Sequence, residues 1–372
     1  MIYFQQPNIA PDLQRRSLLC LDIDAFNLRV LAAVNRNVKQ AAADWCVSLG
    51  ENLLFDESGL QALSKLIGDY DGSADRLEFK LQLSSEAIRD YYSHSVFLAA
   101  DGLVSLPLFA SKTGSSSDKT ETLVVTLREL TTPIAYPLAL APPDRNVTPL
   151  GLLMPFACDH DLLFANQIAV FSHLNRRVRH SFGAILRGLL SRRRGGLQQR
   201  VARSWRQIHQ TADIHPTAVV EGSVIGRGCR IGAHCVVRYS VLGEDVQLHD
   251  GAKVEYAVVG DRTWLMHDLV LYRSLVERDV FLIHGPYQFS YFQHQSGAFA
   301  SIMMDYRPDA KPIKINTRDG IRQYAGRFLG ALLEEGASVL GGTLTSPGIT
   351  IPAGKQITAP IDAVTRPKDL LD

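Results

Sequence analysis

Three side chains that can move protons, Asp250, His267 and His284, follow one another at intervals of 17 residues. If residues 17 apart become neighbours on adjacent strands, about 4.8 Å apart, a carboxylate and two imidazoles stack on one face. An Asp beside a His orients the ring and stabilises its cation, as a general base requires. Two other interpretations stay open: a solvated polar face, and metal ligation, although a straight column of ligands converges poorly on a tetrahedral ion.

The elements that would position these residues repeat with the same period. Aliphatic anchors recur in steps of 6, 5 and 6 residues, at Ile214, Val220, Ile225, Ile231, Val237, Leu242, Leu248, Val254, Val259, Leu265, Leu271, Val276 and Leu282. A fixed period of this kind indicates stacked units rather than an ordinary packed domain. Three short strands per turn, with anchors pointing inward and glycine relieving the backbone at "IG", "LG" and "VG" corners, predict a triangular parallel β-helix.

The rhythm breaks after Leu282 and gives way to a polar excursion over residues 305–323. It returns near the C-terminus, where Leu332 and Ile349, and Leu340 and Ile357, again lie 17 apart. Two further columns of the period carry mixed charges, and we predict that they form a solvated face held by cross-strand pairs. Their members are Arg227, Glu244, Asp261 and Arg278, and Gly228, Asp245, Arg262 and Asp279.

Three segments carry a family resemblance: "KVEYAVVGDRTWLMHDLVLYRS", "DYRPDAKPIKINT" and "GALLEEGASVLGGTLTSPGITIPAGKQI". They resemble the left-handed β-helix domain of sugar-1-phosphate nucleotidyltransferases over roughly residues 211–362, above all the bifunctional glucosamine-1-phosphate acetyltransferase type. In that family a histidine in an H-L-x-Y-x-G-D motif is the acetyl-transfer base, and His267 falls on it. Arg273 and Ser274 stand where the motif has Gly-Asp.

The resemblance implies an acyltransferase with acyl-CoA, such as acetyl-CoA, as donor, no resident metal, and a homotrimer with the donor between subunits. His267 would deprotonate a sugar, amino-sugar or related small metabolite, with Asp250 as orienter and His284 nearby. One alternative is a catalytically inactive trimeric scaffold or ligand-sensing module. Another is a metal-dependent hydratase of the γ-carbonic-anhydrase type, which would use both histidines and a third ligand from another chain.

Residues 1–150 alternate helical patterns with strand-like runs and predict an α/β domain. The helical patterns include residues 25–45 and "SSEAIRDYYSH", and the strand-like runs include "SVFLAA" and "IAYPLAL". A nucleotidyltransferase needs a glycine-rich phosphate loop near its start, but the first glycine is Gly50. We therefore expect a degenerate nucleotidyltransferase or an unrelated domain. The segment "DLLFAN", with Asp161 and Asn166, resembles the "DLL-x-x-N" segment that precedes the β-helix in archaeal-type sugar nucleotidyltransferases. The fold prediction is an α/β domain (1–150), a helical connector (151–210) and a left-handed parallel β-helix (211–372).

Ten arginines lie between Asn175 and Arg206, with Phe182, Ile185, Leu186, Leu189 and Leu190 at helical spacing and a Gly195-Gly196 break. The pattern predicts two helices. The plainest interpretation packs the apolar stripe on the end of the β-helix and leaves the arginines solvated. The alternative is a basic amphipathic helix on an anionic membrane surface over 176–206. We expect no nucleic-acid partner, because aromatic side chains for base stacking are scarce.

Composition indicates a soluble globular protein: 46% of residues are hydrophobic, 21% are charged, and the net charge is +1. Five cysteines without metal spacing, and no secretory leader pattern, predict a reduced, cytoplasmic protein. The small-molecule substrate is implied by the family resemblance.

Overall fold

The computed structural model describes residues 1–359 except 11–12, 14–15, 37–42, 84–96, 115–118, 134–144, 180, 192–195, 308, 310, 318–319 and 325. The chain divides into two compact units. The first comprises Met1–Arg176 with Thr317–Gly326, and the second comprises Arg177–Asn316 with Arg327–Asp372. The predicted connector is thus divided at Arg176. Among the described residues, no helix is both long and apolar enough to cross a membrane.

A five-stranded mixed sheet, in the order β1-β4-β7-β6-β8, organises the first unit. The strands are β1 (Ile2–Gln5), β2 (Ser17–Leu18), β3 (Leu21–Asp22), β4 (Trp45–Leu49), β5 (Leu53–Phe55), β6 (Arg76–Gln82), β7 (Leu103–Lys112), β8 (Thr120–Thr126), β9 (Glu129–Pro133), β10 (Arg145–Pro149) and β11 (Leu153–Pro155). The helices are α1 (Ile23–Val34), α2 (Glu57–Gly68) and α3 (His160–Arg179). The α/β prediction is confirmed.

Helix α2 begins at a buried carboxylate. The Asp56 Oδ1 accepts hydrogen bonds from the N–H groups of Gly59 and Leu152, at 2.8 and 2.9 Å. The first bond caps the helix, and the second ties it to the residue before strand β11. Burial raises the pKa of this carboxyl above its usual range. Asp161, in the first turn of helix α3, accepts hydrogen bonds from the N–H groups of Ala157 and Cys158, which precede the helix. The "DLL" acid therefore holds the chain that enters α3.

Some predictions for the N-terminal half need correction. The helical pattern over 25–45 runs too far, because Trp45 opens strand β4 and pairs with Met1 backbone and strand β1. The predicted strand "SVFLAA" is reduced, in its described part, to one bridge between Leu98 and Val104. The predicted helix "SSEAIRDYYSH" and strand "IAYPLAL" lie outside the described residues.

The second unit is a left-handed parallel β-helix with three walls, as predicted. The first wall contains β12 (Arg206–Ile208), β15 (Ser223–Ile225), β18 (Val241–Leu242), β21 (Val258–Val259), β24 (Leu275–Val276), β27 (Tyr291–Phe292), β32 (Leu332–Leu333) and β35 (Thr350–Ile351). The second contains β13 (Asp213–Ile214), β16 (Arg230–Ile231), β19 (Gln247–Leu248), β22 (Trp264–Leu265), β25 (Phe281–Ile283), β28 (Gly297–Phe299), β33 (Ser338–Val339) and β36 (Gln356–Ile357). The third contains β14 (Val219–Glu221), β17 (Val236–Arg238), β20 (Lys253–Glu255), β23 (Val270–Tyr272) and β26 (Tyr287–Gln288).

The period of 17 is confirmed by the strand register from Ile214 to Leu282. Ile214 pairs with Ile231, Leu248 pairs with Leu265, and Leu265 pairs with Leu282. These anchors point inward and form one continuous core, in which Leu265 and Leu282 are fully buried. The aliphatic spacing therefore predicted both the architecture and the inner face.

The corners turn differently from the prediction. The glycines of "IG" and "LG", such as Gly226 and Gly243, are not in the left-handed region; a Cβ on Gly226 would instead overlap the carbonyl oxygen of Gly243 in the next coil. The left-handed residue comes two positions later and is often not glycine, as at Asp245 (φ +55°) and Arg262 (φ +55°). Glycine is therefore required for close approach of coils rather than for conformational freedom.

The coils are not all the same length. Where the second strand of a pair lies just beyond Leu282, the spacing between paired residues falls to 16. Leu271, for example, pairs with Tyr287. In the last coil the spacing lengthens to 18, because Leu332 pairs with Thr350 and Val339 pairs with Ile357. The predicted 17-residue pairs Leu332–Ile349 and Leu340–Ile357 are therefore wrong. A six-residue step between Thr345 and Ile351 replaces the five-residue step found in the earlier coils.

The predicted polar excursion interrupts the β-helix, which resumes when β27 pairs with β32. Part of the excursion alternates between buried and exposed side chains: strand β30 (Ile313–Thr317) buries Ile313 and Ile315 and exposes Lys314. Strands β29 (Ile302–Met303), β31 (Gly320–Tyr324) and β34 (Leu344–Thr345) complete the chain order.

The charged columns form ion pairs between coils, as predicted. An Arg227 nitrogen lies 2.7 Å from the Glu244 carboxylate, and Arg262 forms two hydrogen bonds to Asp279, at 2.6 and 2.7 Å. Both arginine side chains are exposed. Exposed pairs of this kind contribute about 0.2–1 kcal/mol each, so they support the stack without determining it.

Two helices precede the coil, α4 (Phe182–Leu190) and α5 (Leu197–Ser204), which confirms the two-helix prediction. Their contact is close, because a Cβ on Gly188 would overlap the main chain and side chain of Val201. The predicted packing of the apolar stripe is wrong: Ala184 is buried, whereas Phe182 and Leu190 are 78% and 76% exposed. Small residues, not the large apolar ones, form the inner face of α4.

We predict that Leu265→Ala destabilises the second unit by about 2–5 kcal/mol, because it removes buried methyl groups and leaves a cavity. Leu265 is fully buried, whereas Leu344, on a strand of the same β-helix, is 63% exposed. Leu344→Ala is therefore the matched control. Urea and thermal unfolding measure the stability of both variants. Equal losses of stability in the two would contradict the inward orientation of Leu265.

Candidate functional site

The predicted catalytic column lies at the corner that follows the second wall. Asp250 and His267 occupy equivalent positions in successive coils, because Leu248 pairs with Leu265 and the left-handed residues Gly251 and Asp268 follow them directly. Both side chains are exposed. The sequence prediction that Asp250 and His267 align is confirmed.

The predicted alignment of His284 is wrong. His284 itself adopts the left-handed conformation (φ +54°), the position that Asp268 (φ +55°) and Gly251 (φ +77°) hold in earlier coils. The cause is the corner after Leu282, which is one residue shorter than its predecessors. Among the described residues, no ring contact joins His284 to His267. A catalytic role for His284 stays a prediction.

Asp250 has a partner other than His267. Its Oδ1 accepts a hydrogen bond from the N–H of Ala233 in the preceding coil, at 2.7 Å. Asp261 does the same at another corner, accepting from the N–H of Glu244 at 2.7 Å. In the described part of the chain, neither a hydrogen bond nor an ion pair joins Asp250 to His267. The carboxylate therefore fixes a corner of the coil rather than the imidazole.

The neighbour of His267 is a second imidazole, His249, whose ring centroid lies 5.4 Å away in an edge-to-face arrangement. The ring of Trp264 lies 5.9 Å from that of His249 and is tilted by 34°. Trp264 is 49% exposed. The chain thus presents an accessible group of three rings, the His267 ring group (His249, Trp264, His267). The sequence signal for this group was a tryptophan directly before the inward anchor Leu265, where the side chain of a strand points outward.

An Asp–His pair does occur, at a corner that the sequence reading did not single out. The Nδ1 atom of His294 lies 3.5 Å from the Asp279 carboxylate and 3.1 Å from the carbonyl oxygen of Arg278. Because a carbonyl can only accept, the Nδ1 atom is the donor, which leaves Nε2 able to accept a proton. The hydrogen bonds from Arg262 hold the pKa of Asp279 below its usual range, so this acid is ionised beside the ring.

A buried carboxylate anchors the same corner. Glu277 accepts hydrogen bonds from the hydroxyl of Tyr291 and, at 3.0 Å, from the backbone N–H of His294. Both Glu277 and Tyr291 are buried. The acid therefore holds the main chain of His294 in place, and the imidazole of this histidine is more firmly oriented than that of His267.

The described residues contain no group of three or more His, Cys, Asp or Glu side chains that could hold a metal ion. The hydratase alternative would therefore need ligands from beyond the described part of a single chain. The buried cysteines of the β-helix are poor nucleophiles: burial raises the pKa of Cys229 to about 11 and also raises that of Cys235.

Residues 206–286 match the family model described as GlmU-like, C-terminal hexapeptide. Fold and match together define this segment as a hexapeptide-repeat left-handed β-helix, and it contains Asp250, His267 and His284. A search of curated protein sequences found no match.

Two solved structures illustrate the likeness. A hexapeptide transferase family protein from Anaplasma phagocytophilum is 18% identical, with 41% of this chain and 74% of that chain covered and a TM-score of 0.21. A mutant GDP-perosamine N-acetyl transferase from Caulobacter crescentus, in complex with CoA and GDP-perosamine, is 11% identical, with 41% and 53% covered and a TM-score of 0.18.

We predict that Asp250→Ala and Asp261→Ala lower the free energy of unfolding by similar amounts, about 0.5–1.5 kcal/mol, because each loses one hydrogen bond between coils. Asp250→Asn should retain most of the stability, because an amide oxygen can still accept from Ala233. Chemical denaturation of the three variants measures this. An Asp250→Ala variant as stable as the parent protein would show that the carboxylate does not fix the corner.

Proposed function

We propose that the protein is an acyltransferase of the hexapeptide-repeat class, which transfers an acyl group from acyl-CoA to a sugar, amino-sugar or related small metabolite. The observation that carries the proposal is the match of residues 206–286 to the GlmU-like, C-terminal hexapeptide family model, combined with an accessible imidazole at His267 inside that segment. His267 is the first candidate for the base, because it lies in the matched segment and solvent reaches it.

In the proposed reaction, the imidazole takes a proton from the attacking amine or hydroxyl of the acceptor. The acceptor then forms a bond to the carbonyl carbon of the thioester, the C–S bond breaks, and the imidazolium gives its proton to the departing sulfur, so that CoA leaves as thiol. Trp264 offers an exposed ring face, 5.9 Å from His249, on which the apolar face of a sugar ring can stack. Asp250 contributes by fixing the corner that carries the site.

His294 is the second candidate for the base, because neighbouring groups hold its imidazole and its main chain. Its Nδ1 atom is held by the carbonyl of Arg278 beside ionised Asp279, and its backbone is held by Glu277. These contacts leave the Nε2 atom as proton acceptor without any rearrangement. Acyl transfer is the same reaction in both cases, and only the corner of the coil differs.

We further propose that the active form is a homotrimer, with the donor bound between subunits. Both His267 and its ring neighbours lie on the outside of the coil, where one chain alone gives the reacting groups little shelter from water. Light scattering coupled to gel filtration tests the trimer, and a monomer that is active at every concentration would refute it.

We predict that His267→Ala lowers acyl transfer by about 10²–10⁴-fold, as loss of a general base does. His215→Ala is the matched control, because His215 is exposed on the same side of an earlier coil. Release of CoA thiol, followed with a panel of amino-sugars and sugars, measures the rate. His284→Ala and His294→Ala complete the series.

Each outcome of the series is informative. Loss of acyl transfer in His294→Ala alone would identify His294 as the base, and the proposed reaction would still hold. Unchanged rates in all the variants would refute histidine catalysis. If acyl-CoA at saturating concentration does not raise the melting temperature of the parent protein, the scaffold alternative is favoured, because a ligand that binds only the native state must stabilise it.

A further inference from the structure

The segment ahead of the β-helix concentrates positive charge. Residues 162–212 contain ten arginines and neither Asp nor Glu. The rest of the chain is net acidic, because 29 of the 39 Lys and Arg lie outside this segment against all 38 Asp and Glu. The near-neutral net charge thus conceals an uneven distribution of charge along the sequence, and the local field of this segment attracts anions.

The same segment exposes an apolar surface. On helix α4 the side chains of Phe182, Ile185, Leu186, Leu189 and Leu190 are exposed, and Leu197 at the start of α5 is 46% exposed. The opposite side of α4 is already packed through Ala184 and Gly188. A contiguous patch of large apolar side chains on a soluble chain indicates an interaction site.

A cavity of about 470 Å³ adjoins the N-terminal end of α4. It is lined by Arg177, Ser181, Trp205, Arg206, Gln207 and Ile208. Ser181 caps α4, so the cavity opens directly beside Phe182. Within the described residues no ion pair is recorded for Arg177 or Arg206. Two arginines that line one cavity suit a phosphodiester, which accepts paired hydrogen bonds from guanidinium groups.

We propose that this surface, the α4 face (Phe182–Leu190 with Arg177, Leu197 and Arg206), docks on a bilayer that contains anionic phospholipid. Phe182, Leu186, Leu189 and Leu190 would enter the acyl boundary, and the Arg177–Arg206 cavity would receive a headgroup phosphate. The proposal is independent of the acyl-transfer proposal, because none of its residues belongs to the His267 ring group or the His294 corner.

Charge and shape distinguish a bilayer from other occupants. A second copy of the face would bring two arginine-rich, acid-free segments together, and their charges repel. The phosphates of a nucleic acid could pair with the arginines, but the exposed apolar side chains of α4 would then face a polyanion and gain no apolar contact. Single-stranded nucleic acid binding relies on aromatic stacking, and Phe182 is the exposed aromatic residue of α4.

The test is co-sedimentation of the full chain with vesicles of equal parts phosphatidylcholine and phosphatidylglycerol, compared with vesicles of phosphatidylcholine alone. We expect binding to the anionic vesicles, roughly tenfold weaker binding without the anionic lipid, and weakening by salt. The double variant Phe182→Ser with Leu190→Ser should lose roughly tenfold in vesicle affinity, because apolar insertion is removed.

The matched control is Ile302→Ser with Leu344→Ser, which alters two exposed apolar side chains of the β-helix and should bind as the parent does. Arg177→Gln with Arg206→Gln should weaken binding more than Arg230→Gln with Arg278→Gln, which removes the same number of exposed charges elsewhere.

Several results would overturn the proposal. These are equal binding to both kinds of vesicle, no binding to either, or equal loss in the serine variant and its control. A change from oligomer to monomer in Phe182→Ser with Leu190→Ser, seen by light scattering without loss of vesicle binding, would assign the face to a subunit contact. Binding of single-stranded RNA that excludes the vesicles and survives the serine substitutions would assign it to nucleic acid. Unchanged melting temperatures in all variants exclude misfolding as the cause.

Discussion

The hydrogen bonds between successive coils are the constraint on which the second unit depends. Each strand of the three walls has two or three residues, too few to be stable alone. It is held because its N–H groups donate to the coil that follows, as from Val236 to Ala252 at 2.9 Å. The core is continuous for the same reason, since each inward anchor rests on its equivalents above and below. Stability of such a stack is a sum of interfaces between neighbours.

Because the register is fixed by these bonds, the length of each corner decides which side chains become neighbours. A single residue omitted after Leu282 puts His284 at the left-handed position and takes it out of line with His267. An added residue in the last coil shifts the pairing of Leu332 from Ile349 to Thr350. Corners are thus where function can be gained or lost without disturbing the walls.

The acids of the β-helix divide into two kinds. Asp250 and Asp261 accept backbone N–H groups of the preceding coil and hold corners. Glu277 and Asp279 instead surround His294 through its main chain and its imidazole. Carboxylates of the same chemistry therefore serve structure at one corner and electrostatics at another, and the difference lies in which donor is within reach. The two proposed sites, the His267 ring group and the His294 corner, reflect this division.

The sequence by itself determined the period, the three walls, the inward anchors and the charged columns, because aliphatic spacing of 6, 5 and 6 is a local and repeated signal. It also located two helices in the arginine-rich segment. Only the tertiary structure decided the partner of Asp250, the contact between His267 and His249, and the pairing of His294 with Asp279. The physical reason is that the repeat period shows which residues occupy equivalent positions in successive coils. Which of them touch depends on the direction of each side chain and on whether a corner is one residue shorter or longer. The exposure of Phe182 and Leu190 was hidden for a similar reason: helical spacing marks an apolar face, but small residues on the other face, Ala184 and Gly188, took the inner contact.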